Sequence, residues 1–224
     1  MRVDAELRRP PVIGILALQG DVDEHMRAFD ALGVDTLRVK TREQLDEIDG
    51  LVIPGGESTT VIRLLDRFAL GEPIVARVRD GMPLWGTCMG MIVAAGDVAE
   101  LDQRALGLID ITVRRNAFGR QLASEEISLA VPALGTEPFP AVFIRAPWIE
   151  RAGPGVTVLA SHRGHGVFVR QGNTIGTSFH PELTTDRRVH EYFLEIVQAG
   201  RHTLAEVTPD ASGRYRPARP SPIS

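Results

Sequence analysis

The sequence predicts an α/β fold: three layers, a mostly parallel central sheet with helices on both faces, and antiparallel additions. Three observations carry this. From Val12 onward short apolar runs alternate with amphipathic stretches, and from about Ile109 to Ser178 the helical signal fades and strand-like runs follow one another. In addition, three loops rich in Gly and Pro each directly follow an apolar run, as the functional loops of open parallel sheets do.

Taken in order, Val12–Leu18 reads as a first strand, and Val22, Met26 and Phe29 stand at helical spacing. Thr36–Val39 and Leu51–Ile53 continue the β-α-β rhythm. Val61, Leu64, Leu65 and Phe68 give a second helix face, and Pro83–Trp85 forms a strand that breaks at Gly86. Val189, Tyr192, Phe193, Ile196 and Val197 mark a closing helix. Such alternation places helices on both sides of a parallel sheet. The runs Ile109–Val113, Ala141–Ile144, Val156–Ala160, Val167–Arg170 and Thr174–Ser178 are expected as antiparallel additions to the main sheet. A single domain is expected over residues 12–200, preceded by a leader at 1–11 and followed at 203–224 by a Pro-, Ser- and Arg-rich tail expected to be disordered.

Composition narrows the function. The chain has 224 residues and a formal charge of −4 with both signs interspersed, so neither a nucleic-acid footprint nor a membrane-binding patch is expected. No apolar run approaches the ~18 residues of a membrane span, and the charged start does not resemble a signal peptide. The one cysteine rules out an internal disulfide and would be vulnerable in an oxidising compartment, so a cytoplasmic home is expected. Lys40 is the only lysine, which leaves little scope for imine chemistry on this chain.

Chemistry concentrates in the three loops. Residues 82–96 present Cys88 between a strand and a helix, the layout of a nucleophile elbow, where a helix N-terminus favours thiolate and oxyanion alike. A free cysteine is usually a small buried apolar residue, but Gly86 and Gly90 on either side and a distant histidine point to a nucleophile. Pro54-Gly55-Gly56-Glu57-Ser58 reads most simply as a turn with Ser58 as helix N-cap. The Gly56 N–H could also join that of Met89 in a two-donor oxyanion hole. In the third loop His180 alone of six histidines follows a strand and stands two residues before a carboxylate. Pro181 fixes the backbone between them, so Glu182 can turn back and set the imidazole tautomer. The other five read more blandly: His25 and His190 fall in predicted helices, His202 stands at the start of the tail, and His162 and His165 flank a predicted hairpin turn, too sparse a pattern for a metal site.

Gly86-Thr87-Cys88 with Gly90, together with His180-Pro181-Glu182, resembles the class I (triad) glutamine amidotransferases. Leu18-Gln19-Gly20, Pro54-Gly55-Gly56-Glu57-Ser58-Thr59-Thr60, Arg115-Asn116-Ala117-Phe118-Gly119-Arg120-Gln121, Val142-Phe143-Ile144-Arg145-Ala146-Pro147 and Ser178–Leu183 narrow the match. They are similar to the glutaminase subunits of pyridoxal 5'-phosphate synthases, from about Val12 to Gln198. The resemblance implies the flavodoxin-like fold of class I glutamine amidotransferases. It also implies Cys88, His180 and Glu182 as a triad that hydrolyses L-glutamine through a γ-glutamyl thioester, and Gly56, Glu57, Ser58, Arg115, Ile144 and Arg145 as glutamine-binding residues. Its implied partner is a synthase subunit that receives the ammonia through a tunnel and builds pyridoxal 5'-phosphate. Gln19 and Gly20 are expected to sense that partner, and no cofactor or metal is expected. Two positions depart from the pattern: Met89 stands where alanine is expected and Trp148 where histidine is. A γ-glutamyl hydrolase, an amidotransferase subunit of another pathway and a non-catalytic interaction protein are the alternatives.

Overall fold

A computed structural model describes residues 9–99, 103–115 and 124–207, with side chains to residue 201. Ten strands form one sheet in the order β2 (Asp35–Val39), β1 (Val12–Leu16), β3 (Gly50–Ile53), β4 (Leu84–Thr87), β12 (Thr174–Thr177), β11 (His165–Gln171), β9 (Trp148–Ala152), β6 (Ile109–Arg114) and β5 (Ala95–Val98). The tenth, β10 (Thr157–His162), pairs with β11. The first five run parallel, so β12, expected as an antiparallel addition, instead lies parallel beside β4; β11 then runs antiparallel to β12 and β9 antiparallel to β11. β3, β4 and β12 are buried at every position, as parallel strands covered on both faces must be.

The two faces carry separate cores. Leu51, Ile53 and Leu84 point to the side packed by α2 (Arg42–Asp46), α3 (Ser58–Arg67), α4 (Gly71–Arg79) and α5 (Met89–Ala94). Ile13, Ile15, Val52 and Trp85 point to the side packed by α1 (Val22–Asp30) and α6 (Arg188–Val207). Alternate residues of one strand thus feed opposite layers, which gives the expected three-layer arrangement.

Several local expectations change. β8 (Phe139–Ile144) does not join the main sheet but pairs with β7 (Ser124–Leu129) in a separate two-stranded ribbon. Its alternating burial shows one apolar face, Phe139, Ala141 and Phe143, lying against the α1/α6 core, so it covers that layer instead of extending the sheet. The strand before Cys88 does not break at Gly86 but continues through Thr87. Gly86 and Gly90 are instead sites of close packing: a Cβ on Gly86 would lie 2.6 Å from Gly90 C, and one on Gly90 would lie 1.9 Å from Ile53 O. Ser58 is the first residue of α3, and the N-cap is the extended Glu57. The closing helix reaches Val207, so residues 203–207 of the expected tail are helical. The first proline that could stop it is Pro209, and residues 208–224 lie outside the described residues.

Candidate active site

Parallel pairing of β1, β3, β4 and β12 brings the loops at their carboxyl ends to one edge of the sheet. Cys88 sits between β4 and α5 with φ 50° and ψ −110°, a conformation that side-chain-bearing residues rarely adopt. Its N–H donates to Thr177 O at 2.7 Å, which fixes the elbow against β12. The thiol is buried, 3.9 Å from the carbonyl oxygen of Ile144 at the end of β8.

His180 lies immediately beyond β12, and its N–H donates to Val142 O at 2.8 Å. The turn Pro181–Leu183 then folds Glu182 back, so that His180 Nδ1 lies 2.7 Å from Glu182 Oε1. Asp21 Oδ2 stands 3.4 Å from the same nitrogen, and Cys88 lies near enough to favour a charge on the ring. Burial disfavours a charge on His180, yet the neighbouring Asp21, Cys88 and Glu182 groups outweigh it and the pKa is pushed up to about 12. An imidazolium beside the sulfur is the counter-ion that a thiolate requires. Asp21, His180 and Glu182 also have the spacing of a metal-binding trio, but an Nδ1–H donated to Glu182 is the arrangement of an oriented catalytic imidazole.

The loop after β3 is clamped by the loop after β1. Gln19 Oε1 accepts from Glu57 N–H at 2.7 Å, and Asp21 N–H donates to Gly55 O at 3.2 Å. The approach leaves no room for side chains, since a Cβ on Gly20 would lie 1.7 Å from Gly55 O and one on Gly55 would lie 2.5 Å from His180 Cε1. Gln19, Gly20 and Gly56 therefore form one unit beside His180. Met89 opens α5 next to Cys88, and its larger side chain is absorbed into the core on the α3/α4 side. Trp148 stacks on His165 with ring centroids 3.7 Å apart.

Glu57, Ser58 and Arg115 form a polar group next to this loop. Arg115 Nη2 donates to Glu57 Oε1 at 2.8 Å, while Gln103 Oε1 accepts from Arg115 Nη1 at 2.9 Å and from Ser58 Oγ at 3.2 Å. Ile144 ends β8, and Arg145, which follows it, has a φ of 44°. Asn116–Gln121, the remainder of the motif that begins at Arg115, lie outside the described residues. The sequence reading missed three residues here. Asp21 and Gln103 occupy loop positions without a motif. His25 on α1, fully buried, places Nε2 3.5 Å from Glu182 Oε2.

Comparison with known proteins shows which family the chain resembles. A family model described as the SNO glutamine amidotransferase family matches residues 15–199. The chain is 54% identical over 196 residues to a pyridoxal 5'-phosphate synthase subunit PdxT of Salinispora tropica, covering 84% of this chain and 98% of that one. It is 50% identical over 186 residues to the subunit of the same name from Thermotoga neapolitana, covering 83% and 99%. A solved structure titled as a glutamine amidotransferase superposes with a TM-score of 0.79 at 44% identity, covering 83% of this chain and 98% of that one.

Proposed function

The chain belongs to the SNO glutamine amidotransferase family, and on that premise we propose that it is the glutaminase subunit of a pyridoxal 5'-phosphate synthase, releasing ammonia from L-glutamine for a synthase subunit. Cys88 is the nucleophile, His180 the general acid and base, and Glu182 the group that orients His180. The observation that carries this reading is the strained elbow of Cys88 near an imidazole whose Nδ1 lies 2.7 Å from a buried carboxylate.

The thiolate of Cys88 attacks the side-chain amide carbon of glutamine, and the amide oxygen becomes an oxyanion held by the N–H groups of Gly56 and Met89. The C–N bond breaks as His180 gives its Nε2 proton to the departing nitrogen, which leaves as ammonia. The γ-glutamyl thioester that remains is attacked by water, whose proton returns to His180, and glutamate departs as Cys88 is restored as thiolate. A zwitterionic amino acid calls for a cation and an anion side by side. The Arg115–Glu57 pair offers both, with Ser58, Ile144 and Arg145 completing the pocket wall.

Free ammonia would be lost to solvent as ammonium, so the lone chain is a poor glutaminase that its synthase partner activates. The switch lies in the Gly55–Gly56 peptide, which can present either an N–H or a C=O to the oxyanion. Gln19 and Gly20 bias it, which the clamp between the two loops supports. Steady-state ammonia release at saturating glutamine, with the synthase titrated in, tests the reading. Stimulation by the partner is expected. Full activity of the lone chain, or no increase with a partner shown to bind, would overturn the activation mechanism, and no glutaminase activity in any mixture would overturn the assignment.

A further inference from the structure

Glu182 is a buried carboxylate whose Oε1 meets His180 and whose Oε2 has no hydrogen-bond partner within normal geometry among the described residues. A buried anionic oxygen without a donor is costly. The ring nitrogen Nε2 of His25 stands 3.5 Å from that oxygen and 3.2 Å from Thr87 Oγ1. On the other side of the same ring, His25 Nδ1 lies 3.3 Å from His190 Nε2. Trp85 packs edge-on against both imidazoles, at centroid distances of 5.2 Å from His25 and 4.9 Å from His190, so neither ring can turn freely.

Only one direction of proton donation satisfies this column. If His25 carried its proton on Nδ1, a lone pair on Nε2 would face the Glu182 carboxylate. His190 would then accept at Nε2 and hold its own N–H at Nδ1, an atom that has no partner among the described residues. With the proton on His25 Nε2, the N–H points at Glu182 and Thr87. His25 Nδ1 accepts from His190 Nε2–H, and the partnerless atom is a bare acceptor, the less costly of the two to bury. Burial pushes His25 down to about 4, against the pull of Glu182, and burial with the nearby Arg187 pushes His190 down to about 3. Both rings are thus neutral at neutral pH, as His25 needs to be to donate at Nε2 and accept at Nδ1, and as His190 needs to be to leave its unpartnered Nδ1 bare.

We propose that His25 is a positioning residue for the hydrolysis: its Nε2–H holds the second oxygen of Glu182, with His190 fixing the tautomer, so that Oε1 is aimed at His180. The inference rests on the glutaminase reading. Gln at position 25 can place an amide N–H where Nε2 stands, Asn reaches only the Nδ1 position, and Leu supplies no donor. The test measures glutamine hydrolysis by the complex with the synthase, and the rate at which iodoacetamide alkylates Cys88 in the chain alone.

His25→Leu and His25→Asn are expected to lower kcat by about 10- to 100-fold with KM within about twofold, the rate equivalent of one hydrogen bond to a charged group. Alkylation should slow in the same order, and His25→Gln should recover most of both. A folded His25→Leu with wild-type kcat and alkylation, or His25→Gln as impaired as His25→Asn, would overturn the proposal. Should His25→Leu not fold, the Gln and Asn variants decide it between them. His190→Leu, which removes the tautomer-setting donor without touching Glu182, should show a smaller loss of kcat, and wild-type kcat there would refute the role of His190. Failure of the glutaminase reading is distinguishable, because wild-type chain with synthase would then release no ammonia.

Discussion

The backbone at Cys88 gives a prediction whose sign runs against the usual rule. With φ 50° and ψ −110°, Cys88 occupies a region that disfavours any residue with a Cβ, and such strain costs about 1–3 kcal/mol. Replacing Cys88 by Ala keeps the Cβ and the strain, while replacing it by Gly removes both. Either change loses the same buried sulfur, so that contribution cancels in the comparison. In an ordinary helix or strand Gly is less stable than Ala by about 0.5–1 kcal/mol. Here the relief should reverse the order, leaving Cys88→Gly about 1 kcal/mol more stable than Cys88→Ala. For a domain of this size that is a Tm about 2–4 °C higher. Both variants should fold and both should release no ammonia with the synthase present. Thermal melting followed by circular dichroism, beside the glutaminase assay, reads out each half. An Ala variant as stable as the Gly variant would refute the strain, and wild-type hydrolysis by either would remove Cys88 as the nucleophile.

Glu182→Gln should lower kcat by about 10²- to 10⁴-fold, less than Cys88→Ala, with His180→Asn between them, since an orienting group typically matters less than the nucleophile or base; steady-state kinetics at saturating glutamine decide the order. Gly20→Ala would drive a Cβ against Gly55 O, so it should abolish stimulation by the synthase while shifting the melting temperature of the lone chain by only a few degrees, and titration of the synthase into the variant checks it. Acid should destabilise the fold well above the carboxylate range. His25 and His190 stay neutral in the folded chain down to about 4 and 3, whereas unfolded histidine charges near 6.5. Between those values the unfolded state binds more protons, so the contribution of these two histidines is full above pH 6.5 and falls as pH falls, by on the order of 3 kcal/mol from His25 alone at pH 4. His180, whose pKa is raised, is protonated in both states below pH 6.5 and adds no slope there. Urea midpoints from pH 7 to 4.5 should therefore decline, and less so in His190→Leu. Removing residues 208–224 should leave melting temperature and ammonia release nearly unchanged, because so few of them are apolar. A large drop in either would show that this segment packs on the domain or its partner.

What was legible in the sequence follows from how each element is stabilised. β1, β3 and β4 stand out as apolar runs because both of their faces are buried, and a turn rich in Gly or Pro marks where each gives way to a loop. β5 reads Ala-Gly-Asp-Val and β7 reads Ser-Glu-Glu-Ile-Ser-Leu. These short, polar segments are strands because of what they pair with, and neither composition nor period marks them. α2 did carry a signal, the Thr41 to Gln44 capping box, on a helix of only five residues. α4 begins Gly-Glu-Pro and has only two buried residues, Gly71 and Ile74, too few to set a period.

The same contrast divides the site. Cys88, His180 and Glu182 could be read because each sits where a strand ends, in a loop whose residues have no structural need to be a thiol, an imidazole or a carboxylate. His25 could not, because it falls on the buried stripe of α1 between Val22 and Phe29, where a histidine reads as core. Its meaning comes from topology. β1 lies two strands from β4 in a parallel sheet, so the helix that follows it crosses back over the face that carries Trp85, and its first turns pass beneath the turn of Glu182. Cys88 belongs to the core on one face of the sheet, and His25 and His190 are buried within the other, beside Trp85 and Phe29. Glu182 is the point at which the two are joined. A polar column running from one core to Cys88 in the other gives the fold a reason to bury two neutral histidines that cost it stability in acid.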